Sequence, residues 1–257
     1  MNLSYDDIEK ISISALTGFM GGLINRAEWV KPIQIEALAT HQLKQRIDYT
    51  RLSDDGRMLG ITTYADTTVK LRRYCYNDTV SIPANTILLD ERLKAPAQIP
   101  DRQSDKERSR RRFTIAHGCA HQILHRREKS MWRPGQPESE TERTYSVRDV
   151  VSLDDKHDWP ASALAAALLI PAKYLALLLG FKRLTFFGNK MNSPDKLAFE
   201  NLCNRLDVSR TAMRIRLCQL GYATVLPASA YYDPSDIECD DEYFYAKPVF
   251  VNAPAYS

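Results

Sequence analysis

The chain is poor in the features of secreted, fibrous or membrane-spanning proteins. Its five cysteines, Cys75, Cys119, Cys203, Cys218 and Cys239, are an odd number with no CxxC pair. That argues against a disulfide framework and for reduced thiols in a cytoplasmic protein. Residues Met1 to Lys10 are polar and acidic, without the basic-then-apolar order of a secretory signal. The longest apolar stretch, Leu164 to Phe181, is interrupted by Pro171 and Lys173, which predicts two buried helices meeting at a corner, not a membrane span. Internal repeats and low-complexity tracts are also lacking. What remains, with 44% hydrophobic and 26% charged residues in 257, has the balance of a soluble globular protein with a sizeable core.

The net charge of +3 is unevenly spread. Residues 227 to 257 hold the acids Asp233, Asp236, Glu238, Asp240, Asp241 and Glu242 against Lys247 alone. The body before them therefore carries about +8, a charge that attracts nucleic acid or an acidic partner, although solvated charged faces are the more ordinary account.

Ser4, with Asp7 three residues later, marks a helix start, and Ile8, Ile11, Ala15 and Phe19 continue at helical spacing until Gly21-Gly22. A second helix is expected after Pro32, through Ile35, Leu38 and Leu43. From Ile47 to Asp90 the texture changes to short β-prone runs, Leu59 to Tyr64, Val69 to Tyr76 and Thr86 to Asp90. Turn signals separate them at Asp54-Asp55-Gly56, Asn77-Asp78 and Pro83-Ala84-Asn85. Residues 94 to 109 read as a loop, Arg110 to Arg126 as a helix, and 127 to 157 as a long surface loop. Helices are predicted over Pro160 to Gly180 and Pro194 to Gly221, before the acidic, aromatic tail. The order predicts an α+β fold with a small twisted, antiparallel-rich sheet, at about residues 47 to 90, packed on helices.

Three of the five histidines, His117, His121 and His125, fall within nine residues. His117 and His121 are four apart on the predicted helix, so both rings project from one face, close enough to share a zinc ion. Spacing alone also fits a pair of satisfied core histidines. His125 lies a further turn away and reads as a surface residue. In zinc peptidases the residue after the first histidine is glutamate, the general base that takes a proton from the attacking water. Here it is Gly118.

The segment Arg111-Arg112-Phe113-Thr114-Ile115-Ala116-His117-Gly118-Cys119-Ala120-His121-Gln122-Ile123-Leu124 resembles the active-site helix of the ImmA/IrrE-like zinc metallopeptidases, RRFTxAHExxHxxL. Asp158 to Pro171 resembles that family's second motif, ExxANxxAxxLLMP, and Ile87 to Asp90 resembles the strand preceding its active-site helix. The likeness covers about residues 30 to 220. It implies a zincin-like metallopeptidase domain over residues 1 to 180, a helical C-terminal part over 181 to 226, and a tail over 227 to 257. It further implies Zn2+ held by His117, His121 and Asp158, and a cytoplasmic endopeptidase. Its protein partner would be a helix-turn-helix repressor, often encoded beside it on a mobile element. Direct nucleic acid binding is not expected, nor is a membrane.

Two departures qualify that reading. Gly118 can neither accept a proton nor orient a water, and general-base assistance is worth about 10²–10⁴-fold. Hydrolysis is therefore expected to be weak or absent, and a non-catalytic zinc-binding pseudopeptidase is the main alternative. Asp158 replaces glutamate, and its place before the helix whose first turn holds Pro160 also suits an N-cap. His157 is a fallback ligand. Tyr145 and Arg148 are candidates for stabilising an oxyanion, with structural roles as the plainer account. Cys119 reads as packing. The run Lys106 to Arg112 fits a phosphate-binding patch or a solvated helix start. Leu202 to Leu220, with Ser209 as an internal N-cap and Arg210, Arg214 and Arg216 beyond it, reads as helix-turn-helix and supplies a DNA-binding alternative.

Overall fold

Helix α1 (Tyr5–Met20) opens on the expected capping box. The Ser4 hydroxyl accepts from the Asp7 amide at 3.2 Å, and the Asp7 carboxylate accepts from the Ser4 amide at 3.0 Å. These bonds satisfy amides that a helix start otherwise leaves without partners. Ile8, Ile11 and Leu16 bury one stripe of the helix, and Gly21 closes it at a φ of 62°. The computed structural model describes residues 3–72, 77–94, 102–130, 143–146, 158–231, 237–239 and 244–246.

After α1 the chain makes helical turns and enters α2 (Ile35–Ala37), which runs on as a π-turn over Leu38–Gln42. Strands β1 (Arg46–Thr50), β2 (Met58–Thr63), β3 (Thr67–Arg72), β4 (Asn77–Ile82) and β5 (Thr86–Asp90) follow. Helix α3 (Arg102–Ser130) precedes β6 (Arg143–Ser146). The main sheet has the order β1-β5-β2-β6, with β1 parallel to β5 and the other pairs antiparallel. All five residues of the inner strand β5 are buried. Hairpin β3-β4 covers a smaller cluster of Leu52, Ile61, Leu71, Ile82 and Leu88. Asn77 and Asp78, expected to turn, are strand residues opposite Arg72 and Leu71. The two polar residues open β4, whose register with β3 outweighs their turn preference.

Helix α3 is longer than its apolar pattern indicates. Residues 102 to 109, read as loop, are helical, as are 127 to 130. Both added ends are charged and lack the apolar spacing that marks a helix. Residues 143 to 146 are strand, not loop, paired to β2. Then come α4 (Trp159–Leu169), α5 (Ala172–Leu179), β7 (Leu184–Phe187), α6 (Ser193–Leu206), α7 (Arg210–Gln219) and β8 (Ala223–Leu226). The C-terminal part is therefore not purely helical: β7 and β8 pair in parallel, and α6 and α7 lie between them in the chain. In the tail, β9 (Ile237–Cys239) and β10 (Phe244–Ala246) form an antiparallel pair.

Helices α4 and α5 meet at 44° across Ile170-Pro171, and among the described residues no single helix is long and apolar enough to cross a membrane. The expected corner is present. Ala161, Ala163, Ala165, Ala166 and Ala167 are all buried, and their small side chains let α4 sit close between α1 and α3. One charge group ties these layers together. Arg216 of α7, fully buried, donates to the Ile170 carbonyl at the end of α4 at 3.1 Å and forms an ion pair with Glu9 of α1 at 2.5 Å.

Candidate metal centre

The middle of α3 is enclosed on every side. Residues 112 to 122 are buried without a break, because the helix lies between the sheet, α2 and α4. Three arginines at its N-terminal end anchor it. Arg108 donates to the Asp207 carboxylate at 3.0 Å, Arg111 to the Tyr49 hydroxyl at 2.8 Å, and Arg112 to the Ile33 and Asp207 carbonyls, each at 3.1 Å. Burial pulls the Arg112 guanidinium down in pKa, and the Asp207 and Glu36 carboxylates oppose that shift. Arg108, Arg111 and Arg112 thus serve internal clamps, which weakens the phosphate-patch alternative.

On this anchored helix His117 and His121 present their rings one turn apart, with centroids 4.7 Å from each other. Asp158 occupies the N-cap position of α4, yet its side chain makes no capping hydrogen bond. Its carboxylate turns to the histidines instead. Asp158 Oδ2 lies 2.8 Å from His117 Nε2 and 3.3 Å from His121 Nε2, and the two Nε2 atoms are 2.9 Å apart. His117 and His121 are buried, while the Asp158 side chain is 22% exposed, so solvent reaches the cluster from the α4 side. Burial alone would raise the Asp158 carboxyl. Hydrogen bonds and charge from His117 and His121 outweigh it and hold the group well below the usual carboxylate range.

These donors fit a divalent ion. Tetrahedral donors at about 2.0–2.1 Å from zinc stand roughly 3.3 Å apart, close to the edges of this triangle. Both ring nitrogens face the same carboxylate oxygen, and one shared cation serves all three lone pairs at once. Two imidazoles and one carboxylate are a usual zinc set, with one position left open. Among the described residues no other three His, Cys, Asp or Glu side chains bring their ligand atoms so close.

Gly118 is buried beside the pair, and its carbonyl accepts from Gln45 Nε2 at 3.4 Å. One turn beyond it, Gln122 donates to the Asn85 side chain at 2.9 Å. Gln45 Oε1, Gln122 Oε1 and Thr62 Oγ1 are buried without hydrogen-bond partners. Polar groups therefore line this part of α3 and the strands beside it. Gln45 and Gln122 carried no signal in the sequence, since a glutamine at a strand entry or on a helix is ordinarily solvated.

The remaining candidates separate. Tyr145 lies on β6 opposite Gly60 of β2, so it is a strand residue and not part of a loop. Arg148 and His157 lie outside the described residues. His125 is half-buried, not at the surface, and its ring stacks on Tyr64 at 3.8 Å with planes 9° apart. Cys119 is fully buried, and burial pushes its thiol far up, as a packing residue requires. The helix-turn-helix pair is formed, with Asp207 left-handed at the turn and the Ser209 hydroxyl capping α7 through the Ala212 amide. Buried Arg216, however, is not presented to DNA. Comparison with family models, curated proteins and solved structures finds no significant match to this chain.

Proposed function

We propose that the chain is a zinc-holding protein of ImmA/IrrE-like metallopeptidase type that binds a helix-turn-helix repressor and hydrolyses it poorly or not at all. The observation that carries the reading is the convergence of His117, His121 and Asp158 from two helices onto one point. The motif residues around those three support the family. In this reading the two histidines and the aspartate hold the ion, and the rigid packing of α3 against α4 fixes their geometry. Zinc, when bound in such a set, supplies Lewis-acid polarisation of a carbonyl.

What the chain itself lacks is the proton carrier. Gly118 offers no group to accept a proton from water or return one to a leaving amine, a loss worth about 10²–10⁴-fold in rate. Repressor binding is untouched by that loss, so the protein captures its partner and leaves it intact.

The test uses the full chain, the repressor encoded beside it, and Gly118→Glu. The unsubstituted chain is expected to retain the repressor uncleaved, and Gly118→Glu to cleave it. A zinc-loaded Gly118→Glu protein that binds but never cleaves would favour the pseudopeptidase reading. Failure of both forms to associate with the repressor at micromolar concentrations would end the repressor-processing role.

A further inference from the structure

A second site lies on the C-terminal part, independent of the metal reading. The parallel pair β7-β8 and the helices α6 and α7 enclose a cleft of about 880 Å³, within the usual range for small-molecule sites. It opens where the two strands end. Asn189, Lys190 and Met191 follow β7, Val225 belongs to β8, and Tyr231 comes just after it. Ligands of parallel α/β units commonly sit outside the carboxyl ends of their strands. Gly188 makes the turn out of β7. It turns at a φ of 59° with its Cα side against Ala228, where a β-carbon would stand only 3.1 Å from the alanine methyl.

The chemistry of the walls is specific. Lys190, Lys196, Arg210 and Arg214 face the cleft against the single carboxylate of Glu200, which Arg210 engages at 2.7 Å. Arg214 spends one hydrogen bond on Asn189, at 2.9 Å, and lies over the Phe186 ring at 5.0 Å. Lys190 lies over the Tyr231 ring, also at 5.0 Å. Phe186 in turn meets Phe199 edge-on at 5.3 Å, so the floor is aromatic and firmly held.

A fitting occupant has a strongly anionic group and a flat ring. We propose that this cleft binds a nucleoside monophosphate. Its phosphate lies among Arg210, Arg214 and the two lysines, and its base packs on the plane of the Arg214 guanidinium that covers Phe186. A simple phosphate would leave the Arg214–Phe186 stack unused, and a neutral nucleoside would leave the cations unmatched.

Calorimetry on the full-length chain with AMP, GMP, CMP and UMP tests this, with adenosine and inorganic phosphate as partial ligands. At least one nucleotide is expected to bind saturably, with both partial ligands weaker by about tenfold or more. Arg214→Gln should weaken binding by about tenfold, and Val225→Trp, at a half-exposed position, should block the cleft without changing its charge. A second readout does not depend on any variant folding: the bound nucleotide should slow alkylation of Cys218, an exposed thiol in the cleft wall, as mapped by peptide mass. The proposal is overturned if no nucleotide binds saturably at millimolar concentration, if inorganic phosphate or adenosine binds as tightly, or if the folded variants bind normally. It is also overturned if only DNA oligonucleotides bind, with steep salt dependence.

Discussion

Asp158 stands where a helix cap belongs, yet its carboxylate serves the histidine pair. Its backbone carbonyl accepts from the Ser162 amide at 3.2 Å and starts α4, while its carboxylate leaves the helix for the two histidines. Asp158→Asn keeps the shape and removes the anionic oxygen. Zinc affinity should therefore fall by about tenfold or more while helix content by circular dichroism stays unchanged. Thiol chemistry gives a second check at this scale. Cys203 is buried with its thiol raised to about 12, chiefly by burial, and Cys119 is buried more completely. Both should resist alkylation in the native state between pH 7 and pH 9, while exposed Cys218 reacts; fast labelling of Cys119 would contradict the enclosed position of α3. The histidine pair was legible because four-residue spacing is a local signal. Asp158 was legible only through motif likeness, since its local surroundings, with Pro160 following, describe a cap equally well. The half-buried stack of His125 on Tyr64 was not legible, because strand β2 and its flank reach the helix only in the folded chain.

Elements are held by a few charged contacts whose removal has calculable signs. Asp207 takes the left-handed turn between α6 and α7, and its carboxylate lies 3.0 Å from Arg108 and 3.3 Å from Arg112. Asp207→Asn preserves the turn and the carbonyl that Arg112 uses, but strips a buried guanidinium of its nearest counter-charge. A loss of about 1–3 kcal/mol in unfolding free energy is expected by urea titration. Arg216→Met leaves Glu9 without its partner and should cost about 3–5 kcal/mol, with part of it recovered when Glu9→Gln is added. Ser4→Ala should cost about 1 kcal/mol through the lost capping box. Because bonds from Ser4 depress the Asp7 pKa below the ordinary 3.8, only the share carried by the Asp7 carboxylate is present above about pH 4 and lost as pH falls through the folded value. The Ser4→Ala penalty measured at pH 7 should therefore shrink at pH 2–3. This cap was readable from four residues. Strands β7 and β8 were not, since each has only four residues and they pair across α6 and α7. The charged N-terminal end of α3 escaped for a related reason: the contact of Arg108 with Asp207 joins residues 99 positions apart.

At the scale of the whole molecule, a buried helix runs between a mixed sheet and an alanine-rich helix, and the cluster of His117, His121 and Asp158 sits where that helix meets the alanine-rich one. The α+β class and the helical corner after Ile170 follow from periodicity and proline placement in the sequence. The parallel pairing of β1 with β5 does not, because strand order depends on contacts among separate runs. Two clamps join the C-terminal helices to this centre, Arg108 and Arg112 on Asp207 and Arg216 on Ile170 and Glu9. The metal centre is the claim on which the functional account rests, and elemental analysis of the purified full-length chain tests it most directly. The account predicts about one zinc per molecule, lost in a folded His121→Ala protein and accompanied by a higher melting temperature when zinc is restored to the stripped chain. A carefully prepared protein that contains no metal, and whose melting temperature does not respond to added zinc, would contradict it.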